Sequence, residues 1–105
     1  MTQIQFDMFE RALNAAKNEM LKYSDTEDGG TCNFDTPVVR IKASEKMMSQ
    51  SDYRIVKVDE KGWKDCWFVF LPLMGQGNRR TRMAEAAAEV LRCNGFDAMV
   101  YYQMD

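Results

Sequence analysis

The residues best suited by type and spacing to do chemistry form the segment Gly75-Gln76-Gly77-Asn78-Arg79-Arg80-Thr81-Arg82. Two glycines allow the backbone to wrap an anion, a following helix would add its N-terminal dipole, and three guanidinium groups could hold a phosphate or an acidic surface. The spacing is not that of either common nucleotide loop. GxxxxGK[ST] lacks its Lys, and Arg80 and Thr81 stand near where GxGxxG needs its third glycine. The plainer alternative is a turn leading into a helix with a solvated basic start.

Asp25, Glu27, Asp28 and Asp35, with Gly29 and Gly30 among them, could present oxygens to Ca²⁺ or Mg²⁺. Counting from Asp25 puts Gly30 at the sixth position of an EF-hand loop, as required. Gly29 at the fifth and Thr36 at the twelfth bring no carboxylate, which favours a solvated acidic loop. Cys32, Cys66 and Cys93 are widely spaced and have no His to join them, so reduced thiols are expected rather than a zinc site. No metal and no cofactor are expected.

The large aromatics Trp63, Trp67, Tyr101 and Tyr102 fall on expected strands, where an open sheet face could stack nucleic-acid bases. Core packing explains them equally well, and the RNP1 pattern of RNA-recognition modules is absent. Ser, Thr and Cys nucleophiles have no His to activate them and no G-x-S-x-G elbow. Ser-Lys and Cys-Asp pairs remain open. Glu85 and Glu89 lie beside Arg82 and Arg92, which suits a surface ion-pair ladder better than paired acid and base groups. The expectation is a binding protein, not an enzyme.

Something must position these groups, and 105 residues suffice for one domain, residues 1–105. Hydrophobic residues make up 46% of the chain and include six Phe, four Tyr and two Trp, enough to offset the entropy of ordering it. Nine Met could give an adaptable contact surface, although they more often fill a core. The formal charge of −2 neither demands nor forbids a nucleic-acid partner. The apolar run at residues 67–73 is far shorter than the roughly 20 residues of a membrane helix. Residues 1–5 lack the basic and apolar regions of a signal peptide, so the cytoplasm is expected.

Phe6, Phe9, Leu13, Ala16, Met20 and Tyr23 alternate at spacings of three and four, which predicts a long amphipathic helix over 2–23. Thr2 and Gln5 have capping-box form, and the turn formers of 24–30 end the helix. Residues 38–42 read as a strand, 44–50 as about two helical turns, and 53–58 and 63–71 as a hairpin around the turn at 59–62. The second hairpin strand is apolar on both faces and should be central. Residues 78–94 read as a helix with Met83, Ala86, Ala87, Val90 and Leu91 inward and Gly95 as its cap, and 98–104 as a closing strand. The expected fold is α+β: an N-terminal helix plus a ferredoxin-like β-α-β-β-α-β sandwich, with a mainly antiparallel four-stranded sheet in the order 4-1-3-2. A meander packed on two helices is the alternative, because the crossover at 43–52 is close to the shortest that links parallel strands.

Three stretches carry a resemblance: Asp28-Gly29-Gly30-Thr31-Cys32-Asn33-Phe34-Asp35-Thr36-Pro37, Gly75-Gln76-Gly77-Asn78-Arg79-Arg80-Thr81, and the closing Asp97-Ala98-Met99-Val100-Tyr101-Tyr102-Gln103-Met104-Asp105. With the first helix they resemble a family of small uncharacterised proteins of Firmicutes phages and prophages, while residues 42–64 match nothing in it. The resemblance implies a small phage binding protein in the host cytoplasm. Its suggested function is anti-CRISPR inhibition of a type II effector nuclease through protein contact, with a nucleic-acid-binding accessory role as the alternative. The expected partner-binding residues are Arg79, Arg80 and Arg82 beside Trp67 and Tyr102, since Arg and aromatic side chains dominate interface energetics.

Overall fold

The computed structural model describes residues 1–27, 29–30, 33–72 and 75–103. Its first helix, α1 (Gln3–Met20), starts at the expected capping box. Gln5 N–H donates to Thr2 Oγ1 at 3.1 Å while Thr2 N–H donates to Gln5 Oε1 at 2.8 Å. One stripe, Phe6, Phe9, Leu13, Ala16 and Met20, is buried as the spacing predicts, with Ala12 beside it. A single 3₁₀ turn, Leu21–Tyr23, ends the element.

The remaining order is β1 (Thr36–Arg40), α2 (Glu45–Met48), β2 (Arg54–Lys57), β3 (Cys66–Phe70), α3 (Gly77–Cys93) and β4 (Asp97–Tyr101). The four strands form one sheet in the order β2-β3-β1-β4, and every neighbouring pair is antiparallel. Read from the other edge this is the expected order, and the doubly apolar β3 is central. Met104, assigned to the closing strand by its sequence, lies outside the described residues.

The strand limits shift for identifiable reasons. β1 begins at Thr36, before Pro37, because the ladder with β4 does not use the proline nitrogen. Phe34 N–H bonds to Gln103 O at 2.7 Å, which aims the amides of 34, 36, 38 and 40 at β4. Pro37 would face β3, where it has no N–H to give, and the β1–β3 ladder starts one residue later at Val38. β3 starts at Cys66 rather than at Trp63, since Asp65 takes a positive φ of 60° and the chain is still turning there.

The helical layer also departs from expectation. α2 is one turn, capped by Ser44, whose Oγ accepts from Met47 N–H, and only Met48 is buried from it. α1 occupies the layer instead. Glu10 accepts hydrogen bonds from Ser51 Oγ and Asp52 N–H, and Asn14 accepts from the Tyr53 hydroxyl, tying α1 to the chain entering β2. Small residues at Ala12, Ala16, Ala84 and Ala87 let α1 and α3 approach closely, and both cover the face that carries Val39, Trp67, Val69 and Ala98. Assignment to a ferredoxin-like sandwich therefore does not follow from strand order alone. α3 ends in a Schellman motif, with Gly95 at φ 88°, Gly95 N–H on Arg92 O and Phe96 N–H on Leu91 O, both at 3.0 Å.

Candidate interaction surface

α1 and α3 lie on one side of the sheet, and among the described residues no helix covers the other. Alternation along the strands brings Phe68 and Phe70 of β3, Val38 of β1, Val56 of β2, and Met99 and Tyr101 of β4 to this second face. Part of it is roofed by the chain itself. Residues 59–65 fold over it so that the Trp63 ring sits 5.1 Å from Tyr101 and the Tyr101 hydroxyl donates to Glu60 Oε1 at 2.7 Å. Under this strap Val38 and Cys66 are fully buried, forming a second, small core. The Glu60 carboxylate, by accepting that bond, raises the Tyr101 phenol above its ordinary value.

Phe68, edge-on to Tyr101 at 5.2 Å and packed on the small core, and Phe70 beyond it are half-buried with their rings 6.0 Å apart. The Arg54 guanidinium lies 5.1 Å from the Phe70 centroid. Phe34 is 44% exposed and precedes Thr36 by one strand repeat on the same side. Among the described residues the part of the face beyond the strap is thus Phe34, Val56, Phe70 and the half-buried Phe68, with Arg54 as its cation. The strap and the opposite end of the strands carry both signs of charge: Asp59, Glu60 and Asp65 alternate with Lys61 and Lys64, and Arg40 pairs in register with Asp97.

The site residues expected from the sequence do not form one patch. Trp67 is 2% exposed and donates its indole N–H to Ile41 O at 3.0 Å, so it is a core residue and is corrected from contact anchor to core. Arg80 turns inward, its Nε donating to Asp35 O at 2.8 Å and its Nη2 to Thr36 Oγ1 at 3.1 Å. Burial lowers its pKa from the usual guanidinium value. Arg79 donates to Thr26 O at 3.0 Å. Arg82 is exposed and stacks 4.6 Å from the Tyr23 centroid. Tyr102, 61% exposed, donates its hydroxyl to Glu85 at 2.9 Å. Its phenol is raised by partial burial and then by that bond. Arg82 and Tyr102 are accessible, on the helical side of the molecule.

The two loops that the sequence presents as separate candidates meet. Asn78 N–H, at the start of α3, bonds to Gly29 O at 2.8 Å, and Asn33 Nδ2 bonds to Gly77 O at 3.0 Å. Gly30 has φ 88°, a left-handed conformation that favours glycine, and lies against the Asn78 side chain. Asp35, 5% exposed, accepts from Thr81 Oγ1 at 2.7 Å and from Gln103 N–H at 2.8 Å. The helix start expected to hold an anion is therefore engaged by its own chain, and the basic triad largely by local carbonyls and rings. Among the described residues no three Cys, Asp or Glu converge on a metal-sized space. Asp28 and Cys32 lie outside the described residues. The expected ladder along α3 reduces to Arg92–Glu89 at 2.8 Å.

Sequence reasoning missed Phe34, Phe68, Phe70 and Arg54. The signal was available in the parity of β3. Its two apolar faces cannot both be covered by two long helices on one side, and Phe68 and Phe70 fall opposite Trp67 and Val69. The chain matches no family model, no curated protein and no solved structure.

Proposed function

We propose that the chain is a non-enzymatic binding module whose protein partner docks on the uncovered half of the sheet. The observation that carries this reading is the row of Phe70, Phe68 and Val56 with Arg54 stacked on its edge, facing away from both long helices. Aromatic and Arg side chains on a half-buried apolar surface are the usual composition of an interface centre. A nucleic acid is the second reading, and the stackable rings favour it. The mixed charge of the strap and of the Arg40–Asp97 end weighs against it, because Asp59, Glu60, Asp65 and Asp97 interrupt the basic track of Lys61, Lys64 and Arg40 that a phosphate strand would follow.

Strand order and pairing support a ferredoxin-like variant in which α1 takes the place of the crossover helix. The phage-protein resemblance adds a narrower proposal, an inhibitor of a type II CRISPR effector nuclease acting by contact in the host cytoplasm. Arg82 and Tyr102 would then be a second contact on the helical side.

The test is to incubate the purified chain with such a nuclease, its guide RNA and target DNA. The inhibitor proposal expects a complex that survives nuclease digestion, blocked cleavage, and weakened binding by Phe70→Ala. Full cleavage with no complex ends the inhibitor proposal. Capture of RNA or DNA alone, with affinity that falls steeply with salt, replaces the protein-docking reading by the nucleic-acid one.

A further inference from the structure

We infer that the cavity at the α1 end of β2 anchors an acidic stretch of the docked protein, its carboxylates held by Lys17 and Arg54. This rests on the reading that the sheet face docks a protein. The cavity is about 600 Å³ and is lined by Asn14, Lys17, Asp52, Tyr53, Arg54 and Phe70, so it continues from the aromatic face.

Both cations are held in place by rings rather than by carboxylates. Lys17 Nζ lies 5.9 Å from the Tyr53 centroid and the Arg54 guanidinium 5.1 Å from that of Phe70. Among the described residues neither forms an ion pair. A cation stacked on a ring keeps most of its N–H groups pointed outward, available to a ligand.

Of the remaining polar groups, Asn14 adds a donor. Asn14 Oδ1 is taken by the Tyr53 hydroxyl, so its amide is left as a donor. Glu10, one turn earlier on α1, is engaged by Ser51 Oγ and Asp52 N–H. Asp52 is the one carboxylate lining the cavity, against two cations and an amide donor. Such a site accepts a carboxylate, which Arg54 can hold through two parallel N–H groups.

Charge of both signs along the face suits a polypeptide better than a uniformly charged polymer. Lys17 and Arg54 stand at this end with Asp52, whereas at the strap and the far end Asp59, Glu60, Asp65 and Asp97 are interspersed with Lys61, Lys64 and Arg40. A nucleic acid carries charge along its whole length, but a peptide can place carboxylates at Lys17 and Arg54 and apolar residues on Phe68 and Phe70.

Amide shifts of the isotope-labelled chain test the inference, with three probes of equal length: alternating leucine and glutamate, alternating leucine and lysine, and oligouridylate. The glutamate peptide is expected to shift Lys17, Tyr53 and Arg54 and to bind about tenfold more weakly to the Lys17→Ala/Arg54→Ala variant, whose fold is checked by circular dichroism. Equal binding of the lysine peptide, or of the variant, overturns the inference. So does oligouridylate moving the same amides with a steep salt dependence. Shifts confined to Phe68 and Met99 overturn the anchor and leave the docking face standing, and no shift with any probe overturns the anchor.

Discussion

Thr81, in the first turns of α3, donates its hydroxyl to the buried carboxylate of Asp35, 46 residues earlier in the chain, at 2.7 Å. The other Asp35 oxygen accepts from Gln103 N–H at 2.8 Å, so one side chain ties the loop before β1, the helix start and the end of β4 together. Replacing a buried acceptor strands its donors. Asp35→Asn is expected to destabilise the fold by about 1–3 kcal/mol in urea titration. Thr81→Val is expected to cost less, and the double variant to show about 1 kcal/mol of coupling. Additive effects would mean that the two side chains do not act as a unit.

Arg80 and Arg82 are neighbours in sequence with opposite roles. Arg80 donates to Asp35 O and Thr36 Oγ1, and losing a charged donor from such partners costs about 1–3 kcal/mol. Arg82, exposed on the Tyr23 ring, is expected to change stability by no more than about 0.5 kcal/mol when replaced by Ala. Thermal melts of the two single variants check this. A binding defect in a triple Arg79, Arg80 and Arg82 variant would then need the Arg80 effect separated out, because that change disturbs the fold itself.

The parts legible in the sequence are those set by local pattern. The apolar period of α1, its Thr2–Gln5 cap and the Gly95 stop of α3 depend on neighbours within a few residues, and each stands where the spacing puts it. Strand order was legible from element order and connection rules. What resists reading is long-range. Trp63 looks like the start of a strand because aromatic residues suit strands, yet its place is decided by Tyr101 across the sheet. Arg80 looks like a solvated cation because nothing nearby in sequence reveals the carbonyl of Asp35. Trp67 and Phe68 are adjacent and similarly apolar, and only the position of α1 decides which one faces the core.

Trp67 illustrates the difference between an aromatic anchor and an aromatic core residue. Its ring packs with Val39, Val69 and Ala98, and its N–H satisfies Ile41 O. Trp67→Phe leaves that carbonyl without its donor and a gap in the packing, for an expected loss of about 2 kcal/mol in chemical denaturation. Partner affinity measured well below the melting temperature should be unchanged. A fall in affinity without a fall in stability would return Trp67 to the interface.

The strap over the sheet face should respond to pH through Tyr101. Its phenol is raised by donating to Glu60, so the folded state favours the protonated form. The stabilisation is therefore fully present below the ordinary tyrosine value of about 10 and is lost as pH rises through the raised folded value. Once Tyr101 ionises, a phenolate faces a carboxylate and the strap should lift, exposing Trp63. Acrylamide quenching reads this selectively, since Trp67 is 2% exposed and shielded from the quencher while the fold holds. Quenching is expected to increase above about pH 10 in the native chain. In Tyr101→Phe, which lacks the bond to Glu60, it should already be higher near neutral pH and show no matching rise, whereas the same pH profile in both proteins would remove the Tyr101–Glu60 bond as the latch.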